Sequence, residues 1–246
     1  MSGSFSVQAS FARLSPEFCA DDEAGLLTSE ERRTADRFYF SHDRDAYVAA
    51  HALLHMALRA VTGRSNCSVC YDDMGKPVAC CDGVGLPVSV SLSHTRGMAA
   101  CAVSSNGNVG IDVEAVRQEV AFEDLARRYF SQSEHAQIEA ADETARRELF
   151  FRTWTLKEAV VKALGKGLRI ALNEFDVLAD PSTVRFNPSM KEEGQHWLIE
   201  SRCLSGYFAS AALRQSDQAC ALAEIDWNEI KFLSRAPEHA RSWRVA

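Results

Sequence analysis

Met98-Ala-Ala-Cys-Ala-Val-Ser-Ser-Asn-Gly-Asn-Val-Gly-Ile-Asp-Val-Glu114 decides how the rest of the chain is read. Residues 98–103 are apolar, residues 109–113 are strand-like, and Asn106-Gly107 stands between them. Asn-Gly between two such runs is the strongest short-range hairpin signal, because both residues tolerate positive φ. Successive strand side chains point to opposite faces, so Ile111 and Val113 share one face and Asp112 and Glu114 the other. Two carboxylates at that spacing repel and raise each other's pKa; a hard cation such as Mg²⁺ held between them removes the penalty. On spacing alone, a strand edge whose acids face water accounts for the pair as well.

Outward from this stretch the two halves share a plan. Upstream, residues 45–61 carry Tyr47, Leu54, Leu58 and Val61 on one helical stripe, ended by Gly63. Downstream, residues 146–164 form a long helical pattern closed by Gly165, a left-handed cap. Each helix is followed by short strands: residues 68–71 and 88–92 in the first half, and 175–178, 183–186, 196–200 and 207–213 in the second. Thr28-Ser-Glu-Glu opens a further helix, Asp73-Met-Gly-Lys-Pro77 reads as a turn, and residues 115–147 are charged and helical. The last thirty or so residues are less regular. The expected fold is α+β, a pseudo-dimer of two similar subdomains, each with a long helix on a small, mostly antiparallel sheet. The division falls at residues 1–108 and 109–246.

The chain has 246 residues, 46% hydrophobic and 25% charged, with a net charge of −7. An acidic balance argues against nonspecific nucleic-acid binding. The N-terminal residues lack a signal peptide's basic and apolar regions, and no apolar run is long enough to span a bilayer. A cytoplasmic protein without a membrane partner is expected. Cys67-x-x-Cys70 and Cys80-Cys81 match half of a zinc pattern; the expectation is thiols packed as small hydrophobes in a reducing compartment.

Two further clusters carry chemistry. Trp154, Glu158 and Lys162 are spaced four apart and stack along one helix face. Such a Glu–Lys pair is also a common surface ion pair contributing about 0.3–0.5 kcal/mol. Lys157, Lys162 and Lys166 make a positive patch suited to a polyphosphate. Ser91-Leu-Ser93-His94-Thr95 follows a strand, where a hydroxyl and an imidazole can bind phosphate. Adjacent strand residues face apart and no Gly-x-Ser-x-Gly elbow is present, which argues against a Ser–His hydrolase. His51 and His55, four apart on a helix, read as half-exposed structural histidines.

Together, Gly75-Lys-Pro77, Ser91-Leu-Ser-His94, Val109-Gly-Ile-Asp-Val-Glu114 and Trp154-x-x-Lys157-Glu158-x-x-x-Lys162, followed by Gly165-Lys-Gly-Leu168, resemble the Sfp-type 4′-phosphopantetheinyl transferases. Arg37-Phe-Tyr-Phe-x-x-Asp43 is similar to that family's N-terminal helix region. The resemblance implies transfer of the phosphopantetheine arm of coenzyme A to a serine of an apo acyl or peptidyl carrier protein. It implies Asp112, Glu114 and Glu158 as Mg²⁺ ligands, Glu158 also as base, and Lys162 on the pyrophosphate. Lys76, Ser93 and His94 would contact the coenzyme A phosphates from the first subdomain. Where the family's helix carries arginines, this chain has Ala46, His51 and His55, leaving Arg44 to substitute or the 3′-phosphate to rest more on Lys76 and His94, with a protonated His51 as a further contributor. A protonated His51 would weaken coenzyme A affinity as pH rises through neutrality. The acceptor is expected beside residues 122–130, whose apolar anchors serve either docking or the chain's own core. A monomer is expected, with a non-catalytic coenzyme A or carrier-binding module as the alternative.

Overall fold

The computed structural model describes residues 6–72, 75–166, 170–179, 182–190, 195–215 and 223–232. Asp73, Met74, Gly167 and Leu168, which belong to the turn and glycine motifs above, lie outside them. The chain opens with strand β1 (Ser6–Arg13), a short helix α1 (Ala20–Glu23) and helix α2 (Ser29–Ala35). Thr28 and Glu31 close a capping box on α2, as the sequence predicts. Helix α3 (Ser41–Thr62) ends at Gly63, whose φ of 66° is the left-handed cap. Strands β2 (Cys67–Tyr71), β3 (Pro77–Cys81), β4 (Val84–Thr95), β5 (Met98–Ser104) and β6 (Asn108–Ala115) follow.

In the second half come α4 (Phe122–Tyr129), α5 (Gln132–Ala140) and the 22-residue α6 (Glu143–Leu164), again ended by a left-handed glycine, Gly165. Strands β7 (Phe175–Ala179), β8 (Ser182–Phe186), β9 (His196–Cys203), β10 (Tyr207–Gln215) and β11 (Glu224–Glu229) complete it. One sheet has the order β11-β1-β5-β4-β3-β2, a second the order β6-β10-β9, and β7 pairs with β8. All pairings are antiparallel except β1 with β11. Strand β11 lies within the less regular tail and returns to the first sheet, so residues on both sides of position 108 build that sheet.

The layers run helix, sheet, sheet, helix. Ala99, Cys101 and Val103 of β5 pack with Leu53, Leu54 and Leu58 of α3. Met98, Ala100 and Ala102 pack on Ile111 and Val113 of the second sheet. Every residue of β5 is buried, which explains its unbroken run of small apolar residues. On the far side Leu156, Ala159, Val160 and Ala163 of α6 meet Ala212 and Ile199.

The expected hairpin does not form. β5 and β6 belong to different sheets stacked face to face, and β6 pairs with β10. Gly107, at φ 134°, turns the chain from one sheet to the other. A Cβ there would stand 2.5 Å from the Arg214 carbonyl oxygen, and Gln215 Nε2 donates to the Asn106 carbonyl at 2.8 Å. The turn is held by β10 rather than by paired flanking strands.

Two other expectations change, and one open alternative is decided. His51 and His55 are buried, each 2% exposed, with His55 Nε2 2.9 Å from Glu31. Covered by α3's own packing and α2, they are not half-exposed. Cys70 and Cys80 are joined by a disulfide across β2 and β3, whereas Cys67 and Cys81 stay free and buried. Phe122 and Phe130 pack on Phe150 and Phe151, so the 122–130 anchors serve the core.

Candidate active site

Strand β6 is an edge of its sheet, and edge strands leave backbone donors unpaired. Here β4 supplies side chains instead. Val109 N donates to Ser89 Oγ at 3.0 Å and Ile111 N to Ser91 Oγ at 3.1 Å. Further along, Ser93 Oγ donates to Asp112 Oδ1 at 2.8 Å and Thr95 Oγ1 to Glu114 Oε2 at 3.3 Å. The alternation Ser89, Ser91, Ser93, Thr95 therefore bridges the two sheets and fixes both carboxylates. Ser93 spends its hydroxyl proton on Asp112, a different use from the phosphate contact expected of it.

Helix α6 reaches the same point because Gly110 leaves room. A Cβ at Gly110 would stand 1.9 Å from the Ala159 carbonyl oxygen, so only glycine allows this approach. Lys162 Nζ then donates to Asp112 Oδ1 at 2.8 Å and to the Ile111 carbonyl at 2.9 Å. Asp112 Oδ2 is buried and has no partner. Glu114 is pushed up to about 7, by burial first and then by Asp112, with Arg117, Thr95 and Lys162 opposing. Burial, then Asp112, also raises Glu158, against the pull of Lys162. Among the described residues no three His, Cys, Asp or Glu side chains converge as a ready-made metal site. Asp112 is coupled by charge both to Glu114 and to Glu158.

Glu158 is a shared wall. On one side a cavity of about 270 Å³ is lined by Lys76, Ser91, Glu158, Lys162 and Gly165. On the other a cavity of about 490 Å³ is lined by Arg128, Tyr129, Trp154, Glu158, Ile170 and Leu172. Lys76 crosses from the β2–β3 turn to place its Cδ 3.1 Å and its Nζ 3.2 Å from where a Gly165 Cβ would stand, so the helix cap also makes space for it. Burial lowers the Lys76 pKa, Asp72 opposing and Arg214 adding to the shift. His94 is pushed down to about 4 by burial first, then by His51 and Lys162, with Asp43 opposing. Tyr47 of α3 lies between the imidazoles, its ring centroid 3.9 Å from that of His51 and 6.1 Å from that of His94.

Two expected ligand contacts are committed elsewhere. Lys157 is fully buried at 0% exposure, paired with Glu134 at 2.7 Å, so it faces the interior rather than a phosphate. The helical period turns it away from the face that Glu158 and Lys162 share. Arg44 pairs with Asp21 at 2.7 Å and lies 3.8 Å from Asp36. Burial lowers His51, whose Nδ1 is 2.8 Å from the Tyr47 carbonyl and Nε2 3.1 Å from the Tyr71 hydroxyl, so it is neutral near pH 7. That removes the protonated His51 envisaged from sequence. Gly110, Thr95 and the Tyr129–Trp154 cavity were missed. Only the hydroxyl alternation in β4 could have signalled part of this.

Residues 108–223 match the 4′-phosphopantetheinyl transferase superfamily. Over 169 residues the chain is 32% identical to the 4′-phosphopantetheinyl transferase HetI of Nostoc sp., covering 68% of this chain and 71% of that one. Over 155 residues it is 28% identical to the 4′-phosphopantetheinyl transferase Sfp of Bacillus subtilis, covering 62% and 66%. Among solved structures, the holo-[acyl-carrier-protein] synthase of Thermotoga maritima overlaps 56% of this chain and 81% of its own, at 21% identity and a TM-score of 0.38.

Proposed function

This chain belongs to the 4′-phosphopantetheinyl transferase superfamily, and we propose that its two cavities, meeting at Glu158, divide the reaction between coenzyme A and an apo carrier protein. The chain transfers the 4′-phosphopantetheine arm of coenzyme A to a carrier serine and releases 3′,5′-adenosine bisphosphate. The serine Oγ bonds to the phosphorus bearing the pantetheine, and the bond from that phosphorus to the pyrophosphate bridging oxygen breaks. The serine proton passes to a base, and the bridging oxygen leaves with the adenosine bisphosphate.

Glu158 is that base, directly or through a water. What carries this reading is its position in the wall of both cavities, within reach of a nucleotide on one side and an acceptor on the other. Its pKa, raised by burial and by Asp112, makes it a stronger proton acceptor than an ordinary carboxylate. Lys162 and Lys76 line the smaller cavity and neutralise charge on the pyrophosphate. His94 joins them as a neutral partner, and Arg44 contributes only as far as Asp21 and Asp36 leave it free to do so.

Asp112, Glu114 and Glu158 would hold a Mg²⁺. The support is one of charge: a buried Asp112 oxygen without a partner, and two neighbouring carboxylates whose ionisation burial disfavours. Bound there, Mg²⁺ would supply Lewis-acid charge for the pyrophosphate oxygens. Residues 1–108 would carry the coenzyme A phosphate contacts, and 109–246 the metal site and catalytic helix. The acceptor would enter the Tyr129–Trp154 cavity, beside residues 122–130. We read the protein as a monomer, since one chain supplies two long-helix halves. We place it in the cytoplasm on its five free described cysteines; the Cys70–Cys80 bridge weighs the other way.

The test is to incubate the protein with coenzyme A, Mg²⁺ and a panel of apo acyl and peptidyl carrier proteins, then weigh the carriers. A phosphopantetheine mass gain on at least one is expected. No gain on any of them would leave a binding module.

A further inference from the structure

Lys157 and Glu134 form a buried ion pair that the reaction does not use, with side chains 0% and 4% exposed. Three elements meet on it. Lys157 Nζ donates to the Leu172 carbonyl at 2.7 Å and to the Phe175 carbonyl, so with Glu134 its three protons are all engaged. Glu134 Oε1 accepts from Val177 N at 2.8 Å, and Glu134 Oε2 accepts from Ser131 N at 3.1 Å. The carboxylate therefore ties the first turn of α5 to strand β7, and the ammonium ties both to α6. The Phe130 ring lies beneath the ammonium, its centroid 5.8 Å away.

These tethered segments are the walls of the larger cavity. Ile170, Ala171, Leu172 and Asn173 make one wall, and Leu172 supplies the carbonyl that Lys157 holds. Arg128 and Tyr129 make another, immediately before the Ser131 that Glu134 caps. The smaller cavity draws its walls from the turn before β3, from β3 and β4, and from α6. Glu158 and Val161 of α6 belong to both cavities, but the segments that the pair ties down, at residues 131 and 172–177, line only the larger one or neither. We propose that Lys157 and Glu134 are positioning residues that set the acceptor-side cavity and thereby the fit of the carrier protein, leaving coenzyme A binding alone. This rests on the transferase reading above. Neither residue touches substrate; both act through the backbone of residues 131 and 172–177.

A buried pair broken on one side leaves an uncompensated charge, so Lys157→Met is the severe variant and Glu134→Gln the milder one, keeping one carbonyl acceptor. Two readouts separate positioning from general damage. In hydrogen exchange without substrates, amides in 126–134 and 170–178 should exchange at least tenfold faster in Glu134→Gln, while those in 76–95 stay within twofold. In steady-state assays with an apo peptidyl carrier domain, KM for the carrier should rise about tenfold or more, and the dissociation constant for coenzyme A should stay within twofold. Combining the two substitutions should cost less than the sum of the singles, because one interaction is removed twice. Parallel loss of carrier and coenzyme A affinity in the milder variant, or an unchanged carrier KM, overturns the proposal. If the wild-type protein modifies no carrier, the transferase reading falls on that result, while the exchange pattern still tests the clamp.

Discussion

Gly110 lies so close beneath Ala159 that the backbones of β6 and α6 are in direct contact, and a single methyl group at position 110 would strike the Ala159 carbonyl and the Ala163 amide. Both atoms belong to a helix whose next face is packed on Phe175 and Ile199, so neither can retreat without moving a core layer. Gly110→Ala should therefore destabilise the protein by about 3 kcal/mol or more, at the upper end of overpacking costs. It should also separate Lys162 from Asp112. Urea unfolding together with coenzyme A titration checks both; a stable variant with normal binding would mean that the helix can slide.

Lys162→Met removes the only cation hydrogen-bonded to Asp112 among the described residues. The side chains are 30% and 8% exposed, so the loss falls below that of a fully buried pair, about 2–3 kcal/mol. If Asp112 faces a cation when the enzyme works, Mg²⁺ should raise the melting temperature of this variant more than that of the wild type, since it would relieve the stranded carboxylate. Equal shifts in the two proteins would count against Asp112 as a ligand.

Much of the architecture was legible because it is local. The two long helices announce themselves through apolar periodicity and a terminal glycine, and both Gly63 and Gly165 are left-handed caps. What failed was pairing. Asn106-Gly107 satisfies every local rule for a hairpin, yet β6 finds β10, about a hundred residues away, because Ile111 and Val113 bury themselves against β5 rather than beside it. The site divides the same way. Asp112, Glu114, Glu158 and Lys162 were visible as spaced residue types, whereas the fate of Lys157 depended on Glu134 arriving from another helix. A lysine beside a glutamate such as Glu158 looks the same in sequence whether it faces a phosphate or the core.

The histidines set an expectation for pH. His94 stands at about 4 and His51 also below its usual 6.5, each chiefly through burial. The groups facing His94 are His51 and Asp43 of α3 and Lys162 of α6. In the folded state both rings are neutral at pH 7, while in the unfolded chain they protonate near 6.5. The unfolded state thus binds more protons below that value, so this part of the stability is complete above pH 6.5 and is lost as pH falls toward 4. The histidines should accordingly add nothing to the pH dependence of coenzyme A affinity between pH 7 and 8, a window above the titration of the phosphate itself, at about 6, where Glu114, pushed up to about 7, still ionises. Calorimetric titrations at three pH values in that window, on the wild type and on His51→Gln, check this, and the two proteins should show the same slope. A weakening with pH that His51→Gln abolishes would restore a charged histidine to the site.

Glu158→Gln addresses the residue whose role matters most. The amide keeps the size and most of the hydrogen-bonding shape of the carboxylate, but it cannot take a proton. As base, Glu158 should cost about 10²–10⁴-fold in kcat when replaced, with coenzyme A affinity nearly unchanged. As a cation ligand alone, its loss should appear mainly as a higher Mg²⁺ requirement, and saturating Mg²⁺ should recover most of the rate. The substitution also removes one of the buried negative charges around Asp112, so the variant should be no less stable than the wild type. A folded, coenzyme A-binding protein that saturating Mg²⁺ cannot revive therefore identifies proton transfer as the missing step. Full activity in the variant would instead move the base elsewhere, with Glu114, pushed up to about 7 on the neighbouring strand, as the next residue to replace.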